Sequence, residues 1–171
     1  MPKPIFLIGY MGSGKTTLGK KLSNRLELPF VDTDEEIVKQ IGMSITEYFG
    51  QHGEDEFRKL EREQLRKFAN NAAVISTGGG APCFFDNMEW IKANGYAVYL
   101  QMSPQELFDR LSQSKLHKRP IRIGKSPEEL RVFIEEKLTE REPFYSQAHL
   151  TIDQLNTSVE TLADLVNLRN I

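Results

Sequence analysis

Five short apolar runs, each closed by turn residues, recur along the chain: IFLIG (5–9), FVDTD (30–34), AVISTGGG (73–80), AVYLQM (97–102) and HLTID (149–153). β-Branched and aromatic residues supply much of each run, as expected of strands buried on both faces of a parallel sheet. The intervals between them leave room for helices. In EDEFRKLEREQLRKFANN (54–71), Phe57, Leu60, Leu65 and Phe68 recur at near-helical spacing, with charges on the other face. Such strand–helix alternation predicts an α/β fold, a parallel sheet covered by helices on both sides.

One stretch breaks the alternation. SKLHKRPIRIGKSPEEL (114–130) carries Lys115, Lys118, Arg119, Arg122 and Lys125 together with Pro120, Gly124 and Pro127, and lacks clean periodicity. Two readings stand: a solvated surface loop, or a cationic lid over about 115–126 that folds onto bound phosphates.

Length and charge narrow the classes. A chain of 171 residues suits a single domain over 1–171, and a net charge of −2 gives no global pull toward nucleic acid or a membrane surface. No apolar run reaches the roughly 18 residues a spanning helix needs. The apolar stretch in MPKPIFLIGYMG is broken early by glycines and Lys15, so no cleaved leader is expected. Cys83 is the single cysteine and has no internal disulfide partner, which favours a reducing cytoplasm.

The candidate chemistry sits where the runs end. GYMGSGKT (9–16) has the spacing G-x-x-x-x-G-K-[ST], after an apolar run and before a helical stretch. Glycines let backbone N–H groups turn toward a polyphosphate, Lys15 adds a mobile positive charge, and the Thr16 hydroxyl can ligate Mg²⁺. This predicts nucleotide binding but leaves kinase, ATPase, GTPase and regulatory module open. The second run ends in VDTDEE. If the strand continues through Asp32 and Asp34, both carboxylates project from one face; Asp34 could instead cap the following helix. The third ends in STGGGAP, either a cluster of backbone donors or a plain turn. It carries no acidic metal-binding end, and no N-K-x-D stretch exists, which weighs against a GTPase. Arg58 and Arg141 could grip a carboxylate or phosphate, although Arg58 also stands at ion-pair spacing from Glu54 and Glu61.

Taken together, GYMGSGKTT, FVDTD, EFRKLE, STGGG, KRP before a glycine, and EREPFY resemble the shikimate kinases in order and approximate spacing, from about residue 5 to residue 153. The set is specific: DTD, STGGG and R-x-P-x-Y are not expected together in nucleoside monophosphate or gluconate kinases. The resemblance implies a three-layer P-loop kinase fold with five parallel strands ordered 2-3-1-4-5, a lid, and a substrate-binding helical region at about 33–61. It implies transfer of the γ-phosphoryl of ATP to the 3-hydroxyl of shikimate, a step toward chorismate and aromatic amino acids.

On the matching positions, Gly12, Ser13, Gly14, Lys15, Thr16 and Thr17 would cradle the ATP phosphates. Thr16 would ligate Mg²⁺, with Asp32 assisting through water. Asp34 would hold shikimate hydroxyls and orient or deprotonate the attacking one. Arg58 and Arg141 would clamp the carboxylate, Gly79 and Gly80 would contact the ring hydroxyls, and Phe49 and Phe57 would flank the ring. Arg119 would reach the transferring phosphate and Arg110 would lie against adenine. Some family members place an arginine near adenine after the last strand; here Asn156 stands about there. The expected partners are ATP and shikimate, without nucleic acid or membrane, and a monomer is expected. Another small hydroxy acid such as gluconate, or a non-catalytic nucleotide-binding module, remain the alternatives.

Overall fold

A computed structural model describes residues 2–113 and 124–169. Five strands, β1 (Ile5–Ile8), β2 (Phe30–Asp32), β3 (Val74–Ser76), β4 (Tyr96–Gln101) and β5 (Leu150–Asp153), form one sheet in the order β2-β3-β1-β4-β5. Every neighbouring pair is parallel. The order reverses at β1, so the carboxyl ends of β1 and its neighbours open a crevice at a topological switch point.

Alternation along β1 divides the core. Phe6 and Ile8 join a cluster with Ile75, Tyr99, Leu65, Ile91, Leu107, Ile134 and Tyr145 on one face of the sheet. Ile5 and Leu7 join Leu18, Leu22, Val74, Val98, Leu100, Ile152, Leu162 and Val166 on the other. Helices α1 (Lys15–Leu26) and α8 (Val159–Arg169) cover the second face; α5 (Asn87–Asn94), α6 (Pro104–Gln113), α7 (Pro127–Tyr145) and the end of α4 (Glu54–Arg66) cover the first. Both faces of β1 are buried because successive side chains point to opposite layers.

Between β2 and β3 the chain makes three short helices, α2 (Thr33–Ile41), α3 (Ile45–His52) and α4. Gly42 closes α2 in the left-handed region at φ 70°, and Ser44 opens α3 with a capping box to Glu47. These helices span the segment expected near 33–61.

Several boundaries differ from the sequence reading, each for a local reason. The second strand stops at Asp32 instead of running through Asp34. Asp32 Oδ1 accepts the N–H groups of Asp34 at 3.0 Å and Glu35 at 3.3 Å, so Asp32 is the helix cap and Asp34 lies in the first turn. The two carboxylates therefore do not share a strand face. The third strand ends at Ser76, with three glycines following after Thr77, and the helix expected over 54–71 ends at Arg66. The irregular stretch expected over 114–130 gives way to α7 at Pro127, where Ser126 Oγ accepts the Glu129 N–H at 3.2 Å. Of the basic side chains assigned to a lid, Lys115, Lys118, Arg119 and Arg122 lie outside the described residues, while Lys125 Nζ stands 4.7 Å from the Phe133 ring centre. Among the described residues, no helix is long and apolar enough to cross a membrane.

Candidate active site

The loop between β1 and α1 turns on a glycine in the left-handed region. Gly14 caps α1 at φ 83°, and a Cβ built there would stand 2.8 Å from Gln154 Nε2 and 2.9 Å from Arg110 Nη1. A side chain would be strained in backbone and would collide with two others. Lys15 follows as the first residue of α1. It is only 8% exposed, and its Nζ donates to the carbonyls of Gly9 at 2.8 Å and Tyr10 at 2.9 Å. Its ammonium is thereby held against the loop that leads into the N-terminus of α1, where helix N–H groups and the dipole favour an anion.

Thr16 Oγ1 donates to Asp32 Oδ2 at 2.8 Å, tying the loop to the end of β2. Thr17, Gly12 and Gly14 line the same cleft, which has a volume of about 520 Å³ and reaches Asp34, Thr77 and Gly79 at its far end. Ser13 takes a different place. It is fully buried, its N–H donates to the Tyr10 carbonyl at 3.1 Å, and its Oγ faces Gly9 beneath the loop. Arg110, from the last turn of α6, reaches over the loop: Nη1 donates to the Gly12 carbonyl at 3.3 Å and Nη2 to Gln154 Oε1 at 3.2 Å.

At the far end, each glycine after β3 faces a different side chain. A Cβ on Gly78 would lie 2.8 Å from both Asp34 Oδ1 and Glu61 Oε2, so these two carboxylates converge on that point. One on Gly79 would lie 3.5 Å from Arg141 Nη1, and one on Gly80 would lie 2.7 Å from Arg58 Nη1. The run of small residues is what lets four charged groups approach one turn of backbone. Arg141 and Tyr145 sit one turn apart on α7, and the Tyr145 hydroxyl donates to the Gly79 carbonyl. The R-x-P-x-Y spacing thus places a hydroxyl that holds this turn and a guanidinium beside it. Burial keeps the Tyr145 phenol above its ordinary range, so it remains a donor. Arg141 also lies 5.5 Å from the ring of Tyr10, whose phenol burial pushes up to about 12.

Arg58 makes both ion pairs that its helical spacing offers, the one to Glu61 out of water and the one to half-exposed Glu54 at its edge. Nη1 donates to Glu61 at 2.8 Å, and Nη2 and Nε donate to Glu54 at 3.1 and 3.2 Å. Arg58 is 8% exposed and Glu61 1%. Its guanidinium also lies 4.1 Å from the Phe84 ring centre and 5.4 Å from that of Phe57, against which Phe49 packs at 4.8 Å. Burial pushes the Glu61 carboxyl up to about 7; Arg58 pulls it down and Asp34 pushes it further up. A buried carboxylate thus holds a buried guanidinium while a second carboxylate, Asp34, faces the cleft.

The sequence-predicted residues fall into two groups that meet in one cleft. Gly12, Gly14, Lys15, Thr16, Thr17, Asp32 and Arg110 line the phosphate-loop end, and Asp34 and Gly79 line the other, beside Gly80, Arg58 and Arg141. Asn156 stands apart from the loop: it is exposed, and its Nδ2 donates to Asp153 Oδ2 at 2.7 Å. Glu61, Gln154 and Tyr145 were not singled out individually from the sequence. Glu61 had a signal in its spacing from Arg58; Gln154 had none. Thr16 and Asp32 supply adjacent hard oxygens of the kind Mg²⁺ takes in phosphate sites, where few protein ligands join phosphates and water.

A family model described as Shikimate kinase matches residues 11–168. The chain is similar to the shikimate kinase of Parabacteroides distasonis, 49% identical over 152 residues that cover 88% of this chain and 87% of that protein. Its fold is similar to the crystal structure of shikimate kinase from Bacteroides thetaiotaomicron, with TM-score 0.90, 43% identity and all of both chains covered. It is also similar to shikimate kinase from Acinetobacter baumannii in complex with shikimate, with TM-score 0.83, 33% identity, and 98% and 92% of the two chains covered.

Proposed function

The chain belongs to the shikimate kinase family, and we infer that it transfers the γ-phosphoryl group of ATP to the 3-hydroxyl of shikimate. One observation carries the reading at the level of the site. A lysine-bearing phosphate loop and the Asp34 carboxylate open into the same cleft, with buried Arg58 and half-buried Arg141 beside the glycines at its far end. The first half suits a triphosphate; the second suits a small hydroxylated acid.

In this reading the backbone from Gly12 to Thr17 holds the phosphates at the start of α1 and Lys15 turns its ammonium to them. Arg58 and Arg141 take the substrate carboxylate. Glu61 and Glu54 hold Arg58 in place, so its charge is pre-positioned and little is lost on ordering it. Gly79, Gly80 and the paired rings of Phe49 and Phe57 wall the substrate end. Asp34 accepts hydrogen bonds from substrate hydroxyls and orients one of them toward the γ-phosphorus. That oxygen bonds to phosphorus as the bond to the β–γ bridging oxygen breaks, its proton passes to Asp34 or to solvent, and ADP leaves.

Bound with ATP, Mg²⁺ offsets charge on the phosphate oxygens; Thr16 would hold it directly and Asp32 through water. Arg119 lies outside the described residues and is assigned to the transferring phosphate on the sequence pattern alone. The two arginines also give selection, because an acceptor without a carboxylate forgoes the charge-assisted hydrogen bonds they would make to it.

Coupled ADP release tests the reading with ATP and shikimate, gluconate or no acceptor. Turnover that depends on shikimate supports it. Turnover with gluconate alone, or ATP binding without acceptor-dependent turnover, would overturn it in favour of another acceptor or a non-catalytic role.

A further inference from the structure

The last turn of α7 carries Arg141 and also Pro143, which has no N–H to donate to the Thr139 carbonyl one turn back. That turn is short of a backbone bond where a charged side chain must be aimed. We propose that Tyr99 is a positioning residue: through Glu142 its hydroxyl fixes the roll of this turn and so directs Arg141 at the substrate carboxylate. The inference rests on the reading that Arg141 takes that carboxylate and goes beyond it, to the pair that sets its direction.

Three observations carry it. First, Tyr99 is a fixed point. It is fully buried in β4, paired with Ile8 of β1 on one side and Thr151 of β5 on the other. Its hydroxyl donates to Glu142 Oε2 at 2.7 Å. Burial, and then that bond, hold the phenol above its ordinary range, so it remains the donor. Second, the turn has one other anchor on the sheet side, the Tyr145 hydroxyl on the Gly79 carbonyl, with the Tyr145 ring centre 5.0 Å from that of Tyr99. Arg141 and Tyr145 stand four residues apart, nearly in line along the helix, whereas Glu142 points about 100° away from Arg141. An anchor on one line lets the turn pivot about it; a second anchor on another line removes that freedom. Third, Arg141 depends on direction. Its guanidinium lies 5.5 Å from the Tyr10 ring centre, and its Nη1 lies 3.5 Å from the Cβ position of Gly79. A roll of about 15° would carry a group roughly 6 Å from the helix axis through roughly 1.5 Å. That displacement is enough to break a charge-assisted hydrogen bond.

Tyr99→Phe removes the hydroxyl and keeps the ring. Glu142→Ala removes the partner, and Glu142→Gln keeps an oxygen that can accept. Steady-state turnover, titration of shikimate binding and Tm are measured for each, for the Tyr99→Phe/Glu142→Ala double variant, and for Arg141→Ala with and without Tyr99→Phe. The expected result is a shikimate KM and Kd raised about threefold to tenfold in Tyr99→Phe and in Glu142→Ala, with kcat and the ATP KM changed less than about twofold. The double variant should be no worse than the weaker-binding single variant, because both break one contact. Glu142→Gln should stay within about twofold of wild type, and Tyr99→Phe should add nothing to Arg141→Ala.

An unchanged shikimate Kd in Tyr99→Phe overturns the proposal even if Tm falls, because the bond then serves stability alone. Losses that multiply in the double variant, or an equal rise in the ATP KM, overturn it too. Arg141→Ala separates the two levels. If it weakens shikimate binding while Tyr99→Phe does not, the proposal fails and the reading of Arg141 stands. If it leaves shikimate binding unchanged, that reading fails and takes the proposal with it.

Discussion

Gly80→Ala adds one methyl group against the guanidinium that the functional reading places on the substrate carboxylate. Gly80 has φ −86° and ψ −12°, a conformation any residue adopts, so the backbone itself takes no strain. The new Cβ would meet Arg58 Nη1 at 2.7 Å, Nη2 at 2.8 Å and Cζ at 3.0 Å. Non-bonded contacts relax at roughly 3.5–4.0 Å, so the guanidinium must retreat by about 0.7 Å or more. The end of an arginine would usually yield at little cost. Here it is held by Glu61 at 2.8 Å and Glu54 at 3.1 Å, with the Phe84 ring 4.1 Å away.

Glu54 is half exposed and can follow the shift; Glu61 is buried and cannot. One charge-assisted bond is therefore weakened, and overpacking of this kind costs about 1–3 kcal/mol. At about 2 kcal/mol, that overpacking should lower Tm by about 4–8 °C. Separately, a guanidinium moved off the substrate carboxylate should lose about 2 kcal/mol of binding, so kcat/KM for shikimate should fall roughly thirtyfold while the ATP KM moves less than about twofold. Gly79→Ala is the internal comparison, because its Cβ would meet Met11 N at 3.1 Å and Arg141 only at 3.5 Å, and its effect on shikimate should be smaller. Coupled ADP release with shikimate varied at saturating ATP reads both variants. A shikimate KM unchanged in Gly80→Ala would show that Arg58 either moves freely or does not hold the substrate.

Three further outcomes are expected. Lys15→Ala should lower kcat by about two to three orders of magnitude, since the functional reading turns its charge to the transferring phosphoryl group; near-normal turnover would refute the phosphate-loop assignment. Gly50→Ala should stabilise, because Gly50 lies inside α3 with nothing within 4 Å of its Cβ position; the gain of about 0.5–1 kcal/mol should appear as a higher Tm, and a lower one would refute it. His149 Nδ1 accepts the Ala97 N–H at 3.0 Å, and burial, then Lys92 and Lys3, hold its pKa below the ordinary histidine value. The neutral form thus stabilises the fold, fully above the unfolded pKa near 6.5, and that contribution is lost as pH falls through the lower folded pKa. Urea unfolding at pH 7.5 and at pH 5.5 should show a smaller difference in His149→Phe than in the wild type; an equal difference would exclude this histidine as a source.

What the sequence determined by itself was whatever depends on neighbours along the chain. The phosphate loop was legible because strand, glycines, lysine and helix start are contiguous, and Gly14 must adopt a left-handed conformation wherever that turn forms. The parallel sheet was legible because strands buried on both faces read as unbroken apolar runs; their order came from the family resemblance. Asp32 and Asp34 show the limit of local reading. A strand face and a helix cap are both available to V-D-T-D, and the cap won when Asp32 accepted two backbone N–H groups.

Tertiary structure alone decided the rest of the site. Glu54, Arg58 and Glu61 have the spacing of a solvated helix face, and only the packing of α4 beside Asp34, the glycines after β3 and Phe84 turns that face inward. Gln154 gives no signal in the sequence, because its partners Gly14 and Arg110 lie far away along the chain. They meet because β5 pairs with β4 and β4 with β1, so the turn after β5 comes to rest over the loop after β1. Hydrophobic periodicity specifies which faces are buried; it does not specify which distant side chains the burial brings together, and the contacts of Gln154 with Arg110 and Gly14 depend on that second choice.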